Sequence, residues 1–334
     1  MIGLAVLGCA HSHTPGKAAA IRANDRVRLL GAYDADGSVR EARSATAPFE
    51  NIPWFPSAEA LLMIDGLDAV VIDGYAHQNH RLACAALEAG KSILLEKPAG
   101  TEPGQLERLQ SLAAASNLYI QMGYQFRYMP AFEFTRRAVA DGLLGDVFSF
   151  RARISKAQAV YEQLLPELSR YPGGNFYELG CHVLDMAIAL MGSPRAVQRV
   201  LRTDYGQDTV FADNTVAVLE FDGGIAVLES SAMEVDPKRR IEVYGTKGTI
   251  IMQPIMPTAI DLCLAESHTP YIAGWQTVDV GDRPMFQRDI EEFVAVLLGE
   301  KAPDYGPEHT LVTQNTLLDI CQTAQNTGIT DQER

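Results

Sequence analysis

The strongest constraint on this chain is the alternation, over roughly its first 120 residues, of short aliphatic runs with segments of helical apolar spacing. The runs are Ile2 to Leu7, Val27 to Tyr33, Ala69 to Ile72, Ser92 to Leu95 and Leu118 to Met122. Between them, Arg81 to Ala89 and Pro103 to Ala115 repeat apolar residues at the helical period. Strands that are apolar on both faces and alternate with helices predict an α/β unit, a doubly wound parallel sheet of Rossmann type. Gly90 falls where a helix C-terminus favours a residue tolerant of positive φ.

Beyond residue 122 the pattern changes. Val147 to Ile154, Ala196 to Arg202, Thr215 to Phe221, Ala226 to Ser231, Arg239 to Tyr244 and Thr249 to Gln253 read as strands that follow one another through turns. Asp222-Gly223-Gly224 and Gly245-Thr246-Lys247-Gly248 are hairpin signals between them. A helix over Glu178 to Met191, stopped by Gly192-Ser193-Pro194, interrupts a large, mostly antiparallel sheet. Amphipathic helices near Phe286 to Leu298 and Glu308 to Thr323 follow. With 334 residues, more than one core usually holds, the expectation is two domains, 1–122 and 123–334.

Composition narrows the partners. A net charge of −14 opposes nucleic acid and anionic membranes, and no segment approaches the roughly 20 apolar residues that a bilayer needs. The five cysteines, Cys9, Cys84, Cys181, Cys263 and Cys321, are scattered and lack CxxC spacing. They predict neither a disulfide framework nor a thiolate zinc site, and they fit a reducing cytoplasm. Val6-Leu7-Gly8-Cys9 imitates a lipoprotein cleavage box but reads as a buried first strand, because no basic segment precedes it.

A strand ending at Gly8 and running into a helix is where a dinucleotide pyrophosphate belongs, since free N–H groups and the helix dipole favour an anion there. The glycine fingerprint is damaged: Gly8-Cys9-Ala10-His11-Ser12-His13 has alanine at the second glycine position and histidine at the third. The bland alternative is a strand-to-helix turn without a ligand. Asp34, at the end of the second run, could accept both adenosine ribose hydroxyls and would repel a 2′-phosphate, favouring NAD over NADP. A solvated turn aspartate is the alternative there, and Arg40 and Arg43 could receive a phosphate. The loop after the third strand, Gly74, Tyr75, His77 and His80, opens on the same sheet edge and joins the candidate cofactor residues. A metal site among these histidines is not expected, because Asp73 is the only acid readily named beside them and no tight ligand spacing joins the loops.

Glu96-Lys97-Pro98 puts a charged pair and a proline directly after a fully apolar strand, at the edge where open α/β sheets bind ligands. Glu96 and Lys97 are therefore also candidate cofactor contacts, with a surface ion pair as the alternative.

Here the chain resembles the Gfo/Idh/MocA family of glucose-fructose oxidoreductase and inositol dehydrogenase type. The resemblance covers nearly the whole chain. It rests on Ala85-Ala86-Leu87-Glu88-Ala89-Gly90-Lys91 leading into Glu96-Lys97-Pro98, on Gly123 to Pro130, on Gly142 to Val147, and on Gly173 to Asp185. It implies a Rossmann domain followed by an α/β domain whose open sheet makes homodimer or homotetramer contacts. Lys97 and His182 match the family's catalytic lysine and histidine, Glu178 replaces its aspartate, and Pro98 is a candidate for a cis peptide. The glycine loop is shorter than the family's, with His13-Thr14-Pro15-Gly16 resembling its histidine-containing helix start.

The chemistry follows from the residue types. Oxidising an alcohol removes a hydride from carbon and a proton from oxygen. An amine beside a cationic nicotinamide has a lowered pKa, so Lys97 suits a hydrogen-bond partner or relay, and His182 suits the general base. Glu178, His182 and Asp185 are spaced to share one helical face, so Glu178 is a third catalytic candidate and Asp185 a packing residue. A satisfied core histidine is the alternative for His182. Candidate substrate contacts are Lys97, Tyr161, Tyr177, Glu178 and His182, with Arg170 and Tyr171 nearby; Arg127 reads as structural. The expected function is NAD(H)-dependent hydride transfer at a secondary alcohol of a sugar, polyol or sugar acid. An epimerase or eliminase using transient oxidation, and a catalytically silent dinucleotide-binding regulator, are the alternatives.

Overall fold

The computed structural model describes residues 1–171, 173–204 and 211–322. The aliphatic runs form β1 (Ile2–Leu7), β2 (Val27–Tyr33), β3 (Ala69–Ile72), β4 (Ser92–Leu95) and β5 (Ile120–Met122). All pair in parallel, in the order β2-β1-β3-β4-β5. Connecting them are α1 (Thr14–Ala23), α2 (Gly37–Ser44), α3 (Ala58–Leu62), α4 (Ala76–Glu88) and α5 (Gln105–Ala115). Gly90 takes φ 73° and closes α4 with N–H bonds from Gly90 to Leu87 O and from Lys91 to Ala86 O. β5 starts at Ile120 rather than Leu118 because the Leu118 N–H returns to Ala113 O and helps to terminate α5. The helices α2 and α3 are short, and α2 buries no residue.

Alternation along β1 sends Leu4 to one face of this sheet and Ala5 and Leu7 to the other. The second face packs on Leu61 of α3, Leu82 and Leu87 of α4, and Leu109 of α5.

The remaining elements are α6 (Pro130–Ala140), β6 (Val147–Arg153), α7 (Gln158–Leu168), α8 (Cys181–Met191), β7 (Ala196–Arg202) and β8 (Asn214–Phe221). After these come β9 (Gly224–Ser231), β10 (Arg240–Gly245), β11 (Gly248–Met252), β12 (Ala259–Leu264), β13 (Gly274–Asp279), α9 (Gln287–Leu297) and α10 (Pro307–Cys321). The strands form an eight-stranded sheet in the order β13-β12-β11-β10-β6-β9-β8-β7. Every pairing is antiparallel except β6 with β9. β12 and β13 extend the sheet beyond the expected strands; β12 alternates Ile260, Leu262 and Leu264 inward, whereas the edge strand β13 is largely polar. The expected helix end at Thr323 lies outside the described residues.

One face of this large sheet packs on α8, where Val183, Leu184, Ala187 and Ile188 are buried. The other carries exposed Val200, Val216, Ile225 and Trp275. The helix α9 returns to the first sheet: Ile290, Phe293 and Val294 bury against Leu4, Ile21, Val71 and Leu94. The cover of the parallel sheet therefore draws on residues beyond 122. Phe293 is fully buried there. Phe293→Ala is expected to lower stability by about 3–5 kcal/mol in urea unfolding, through lost transfer energy and a residual cavity.

Candidate active site

The carboxyl ends of β1, β3 and β4 converge. Gly8 takes φ 82°, and a Cβ there would lie 3.0 Å from Gly74, so the loops after β1 and β3 abut. Asp34, at the end of β2, accepts the Cys9 N–H at 2.6 Å and the Asp36 N–H at 2.8 Å. Arg43 on α2 holds the loop from its carbonyl side, donating to the oxygens of Cys9 (2.8 Å), Ala10 (3.2 Å) and His11 (2.9 Å). With the carbonyls turned to Arg43, the N–H groups of Ala10 and Ser12 find no acceptor among the described residues. Both residues line a cleft of about 780 Å³, as do His11, Asp36, Gly74, Tyr75 and His77. These donors, followed by α1 from Thr14, fit a dinucleotide pyrophosphate, and Arg43 does the clamping that the missing glycines would otherwise make unnecessary.

Beneath this loop lies a buried ion cluster that the sequence reading missed. Lys17, one turn into α1, donates to Asp73 Oδ1 at 3.1 Å and to Glu96 Oε2, and all three side chains are at most 1% exposed. The available signal was a lysine within the stripe Thr14, Ala18, Ile21 that α1 buries. Burial opposes the Lys17 charge, but Asp73 and Glu96 overcome it and raise its pKa. His13 Nδ1 lies 3.3 Å from Glu96 Oε1. Donor atoms of His11, His13 and Glu96 lie within 4.8 Å of one another, a proximity invisible in the ligand spacing. Glu96 is already shared by Lys17 and, at 4.0 Å, by Lys97, which leaves it little charge to offer a cation.

Lys97 follows β4 and precedes a cis peptide to Pro98. Its buried ammonium donates to the Glu178 carbonyl at 2.7 Å and lies 3.4 Å from Glu178 Oε1. Burial would lower its pKa, yet the carboxylates of Glu178 and Glu96 raise it, so Lys97 is an ammonium. His182 shows the opposite balance: burial first, then Lys97 and His13, hold its imidazole well below the ordinary range. The two directions have separate causes: Lys97 has carboxylate partners, whereas His182, expected near its working pKa, has a dry aromatic wall that lowers it. Phe126 and Tyr124 supply that wall, with ring centroids 4.4 and 5.9 Å away, and Nδ1 has no hydrogen-bond partner among the described residues.

Glu178 precedes α8 and reaches partners that Asp185 does not. It sits in a π-helical turn, Phe176–Gly180, whose wider pitch turns it toward Lys97 and toward Lys156, whose ammonium is 2.7 Å from Oε2. Asp185 instead takes a bidentate bond from Arg127 at 2.8 and 2.6 Å and meets His309 Nε2 at 2.9 Å. Arg127 lies between the rings of Tyr124 and Tyr305, at 4.7 and 4.1 Å. It is structural, as its position suggested.

Among the expected contacts, Gly8, His13, Asp34 and His182 do not line the cleft, and four more are placed otherwise or committed elsewhere. Cys9 points into the core, with its thiol toward Tyr33 O. His80, one turn farther down α4 than His77, turns away from the cleft mouth to Cys84. Tyr161 is 1% exposed and packs on Phe211 rather than lining the cleft. Tyr177 lines it, but its hydroxyl is committed to Gly100 O at 2.8 Å. On the opposite wall His77 Nδ1 lies 3.4 Å from Glu167 Oε1, linking α4 to α7 across the cleft.

Residues 2–124 match the family model described as an oxidoreductase family, NAD-binding Rossmann fold, and residues 132–251 match the GFO/IDH/MocA C-terminal domain. The chain belongs to the Gfo/Idh/MocA oxidoreductase family. An uncharacterised oxidoreductase of Schizosaccharomyces pombe is 28% identical over 64% of this chain and 60% of its own length, so the chain spans under two thirds of that relative. Inositol 2-dehydrogenase of Rhizobium meliloti is 25% identical over 87% of this chain and 86% of its own. Among solved structures, the WlbA dehydrogenase of Bordetella pertussis, in complex with NADH and UDP-GlcNAcA, superposes with a TM-score of 0.82 at 19% identity, covering 96% of this chain and 94% of that one. The family fold accounts for the convergence of the Glu96-Lys97-Pro98 segment with the Glu178 turn.

Two measurements test the cluster under the family's cofactor loop. Lys17→Met leaves two buried carboxylates without their cation and is expected to cost about 3–5 kcal/mol in urea unfolding. Asp289, buried at the start of α9, has its pKa pushed up to about 7 by burial, against Lys17 and with Glu96. Its folded value lies above the unfolded one, near 3.9. The stability it contributes is therefore complete below pH of about 4 and lost as pH rises to about 7. Asp289→Asn is expected to match the wild type near pH 4 and to exceed it increasingly up to pH 7, by at most about 4 kcal/mol.

Proposed function

We propose that this chain is an NAD(H)-dependent dehydrogenase that moves a hydride to or from a secondary alcohol of a sugar, polyol or sugar acid. One arrangement carries the reading: the Lys97 ammonium, held on Glu178, stands at a cleft whose opposite loop keeps N–H donors for a diphosphate. The likeness to a named inositol 2-dehydrogenase supports the same reading.

Bound NAD supplies the hydride acceptor that no side chain offers. Lys97 donates a hydrogen bond to the substrate oxygen, which stabilises the alkoxide character that develops as hydride leaves. Glu178 fixes the position of that ammonium from two directions, through its carbonyl and its carboxylate. His182, kept neutral by its dry surroundings and with Nδ1 unpaired among the described residues, is the base to which the hydroxyl proton passes.

NAD is favoured over NADP, because Asp34 and Asp36 put carboxylates at the end of β2 and Arg43 is engaged with three carbonyls. We further infer units near 1–122 and 123–334 with α9 docked on the first. Assembly with copies of the same chain through the open sheet face is inferred from exposed Val200, Val216, Ile225 and Trp275, and a reducing cytoplasm from the five free thiols.

The test is absorbance at the reduced-nicotinamide band during incubation with NAD and a panel of sugars, inositols and sugar acids. A rise with at least one substrate is expected; product without net reduced cofactor would instead indicate internal redox chemistry. Lys97→Ala and His182→Ala should each lower kcat by about 10²- to 10⁴-fold while calorimetric NAD binding is largely retained. Undiminished turnover in both variants would sink the assignment.

A further inference from the structure

The shortened loop after β1 spends most of its N–H donors on the protein itself. The Cys9 N–H goes to Asp34 Oδ2 at 2.6 Å, that of His11 to Asp73 O at 3.0 Å, that of His13 to His11 Nδ1 at 3.3 Å and that of Thr14 to His11 O at 3.2 Å. Pro15 has none. From Cys9 to Pro15, only the N–H groups of Ala10 and Ser12 remain uncommitted among the described residues. Two backbone donors are few for a diphosphate, which carries two negative charges. Glycines at the second and third fingerprint positions would let more of the backbone approach it, and here those positions are Ala10 and His13.

The side chain of His11 supplies what the backbone lacks. Its Nδ1 accepts the His13 N–H and stands 3.9 Å from Asp73 Oδ1, so that edge of the ring faces the interior of the loop. The two ring nitrogens point in nearly opposite directions, and His11 lines the cleft, so Nε2 is turned toward it and bonds no described residue. A ring nitrogen that accepts carries no proton, and the neutral ring therefore holds its hydrogen on Nε2. Burial, opposed by Glu96 and assisted by His13, Lys97 and Lys17, lowers the pKa of His11 to about 3 and keeps the ring neutral. His11 also lies in the field of Lys97 and Glu178, which sets it toward the reacting end of the cleft.

We infer that His11 binds the cofactor diphosphate as a neutral donor, its Nε2–H meeting the phosphate on the nicotinamide side beside the N–H groups of Ala10 and Ser12. This rests on the dinucleotide reading and adds to it a side-chain contact in place of the backbone donors lost with the glycines. Neutrality suits the position. A cationic ring would carry a proton on Nδ1 and break the bond that shapes the turn from His11 to His13, whereas the neutral ring keeps that bond and still offers a donor. His13 cannot take the same part, because its Nδ1 lies 3.3 Å from Glu96 Oε1 and its ring packs on Phe286.

Two substitutions separate the ring nitrogens: the amide nitrogen of glutamine reproduces Nε2, and that of asparagine reproduces Nδ1. In calorimetry with ADP-ribose and with NADH, His11→Asn is expected to weaken both ligands alike, by about tenfold or more, and His11→Gln by less than about threefold. Nitrogen NMR of the histidine-labelled wild type should show His11 as the Nε2–H tautomer at pH 7, its Nε2 resonance moving when ADP-ribose is added; His11→Gln identifies the signal by its loss. Equal losses in the two variants, no loss in either, or a loss confined to NADH would each overturn the inference, as would an Nδ1–H or cationic ring in the wild type, a result that needs no variant to fold. ADP-ribose and NADH bound through His11 without turnover of any alcohol under NAD would leave this contact standing and overturn the dehydrogenase reading. Turnover under NAD with unaltered cofactor binding in His11→Asn would do the reverse.

Discussion

The buried contact of Lys17 with Asp73 and Glu96 joins the first helix to the carboxyl ends of β3 and β4, and the geometry of the cleft depends on it. Such a cluster is expensive to assemble in a dry interior, where each charge loses its hydration, and it persists only when every member is paired. It adds little stability compared with an apolar substitute of the same shape. Its contribution is position: with Glu96 anchored from below, Lys97 leaves the strand end in one direction, and the shortened loop above is seated on a fixed floor. His13 beside Glu96 and Asp289 at the start of α9 belong to the same electrostatic unit, which links the cofactor side of the cleft to a helix from the far end of the chain.

The second support is the Arg127, Asp185 and His309 network. It anchors α8 between the Tyr124 segment and α10, so that the π-helical turn preceding α8 has a rigid base. The turn then delivers Glu178 to two lysines at once. Glu178 stays ionised because Lys97 and Lys156 outweigh the burial that would protonate it. Lys97 stays protonated for the complementary reason, and His182 stays neutral because burial and Lys97 outweigh Glu178 and Glu96. The protonation states of the three central groups are therefore set by who touches whom, and none could be assigned from side-chain type.

Much of the architecture was legible from the chain. The five apolar runs marked the parallel sheet, Gly90 and Gly192 marked helix ends, and Asp222-Gly223-Gly224 marked a hairpin, because these features depend on local periodicity and on backbone conformations few residues adopt. The motif Glu96-Lys97-Pro98 was legible too, since charged residues directly after a buried strand are rare without a purpose. The polar edge strand β13 lacked such a period, and the helices α2 and α3 were short. The return of α9 to the first sheet was hidden for a different reason: an amphipathic stripe reports that a helix is buried, not against what.

The sequence by itself determined the fold class, the family and the segments that meet at the cleft, all of which follow from local pattern and spacing. Tertiary structure alone decided which polar atoms pair. It turned His80 and Tyr161 away from the cleft, made Arg43 a clamp on three carbonyls, and gave Lys17 and Lys156 partners far along the chain. Those outcomes depend on the direction of side chains across separate elements, and electrostatic energy in a buried site depends on ångström distances that sequence spacing does not encode.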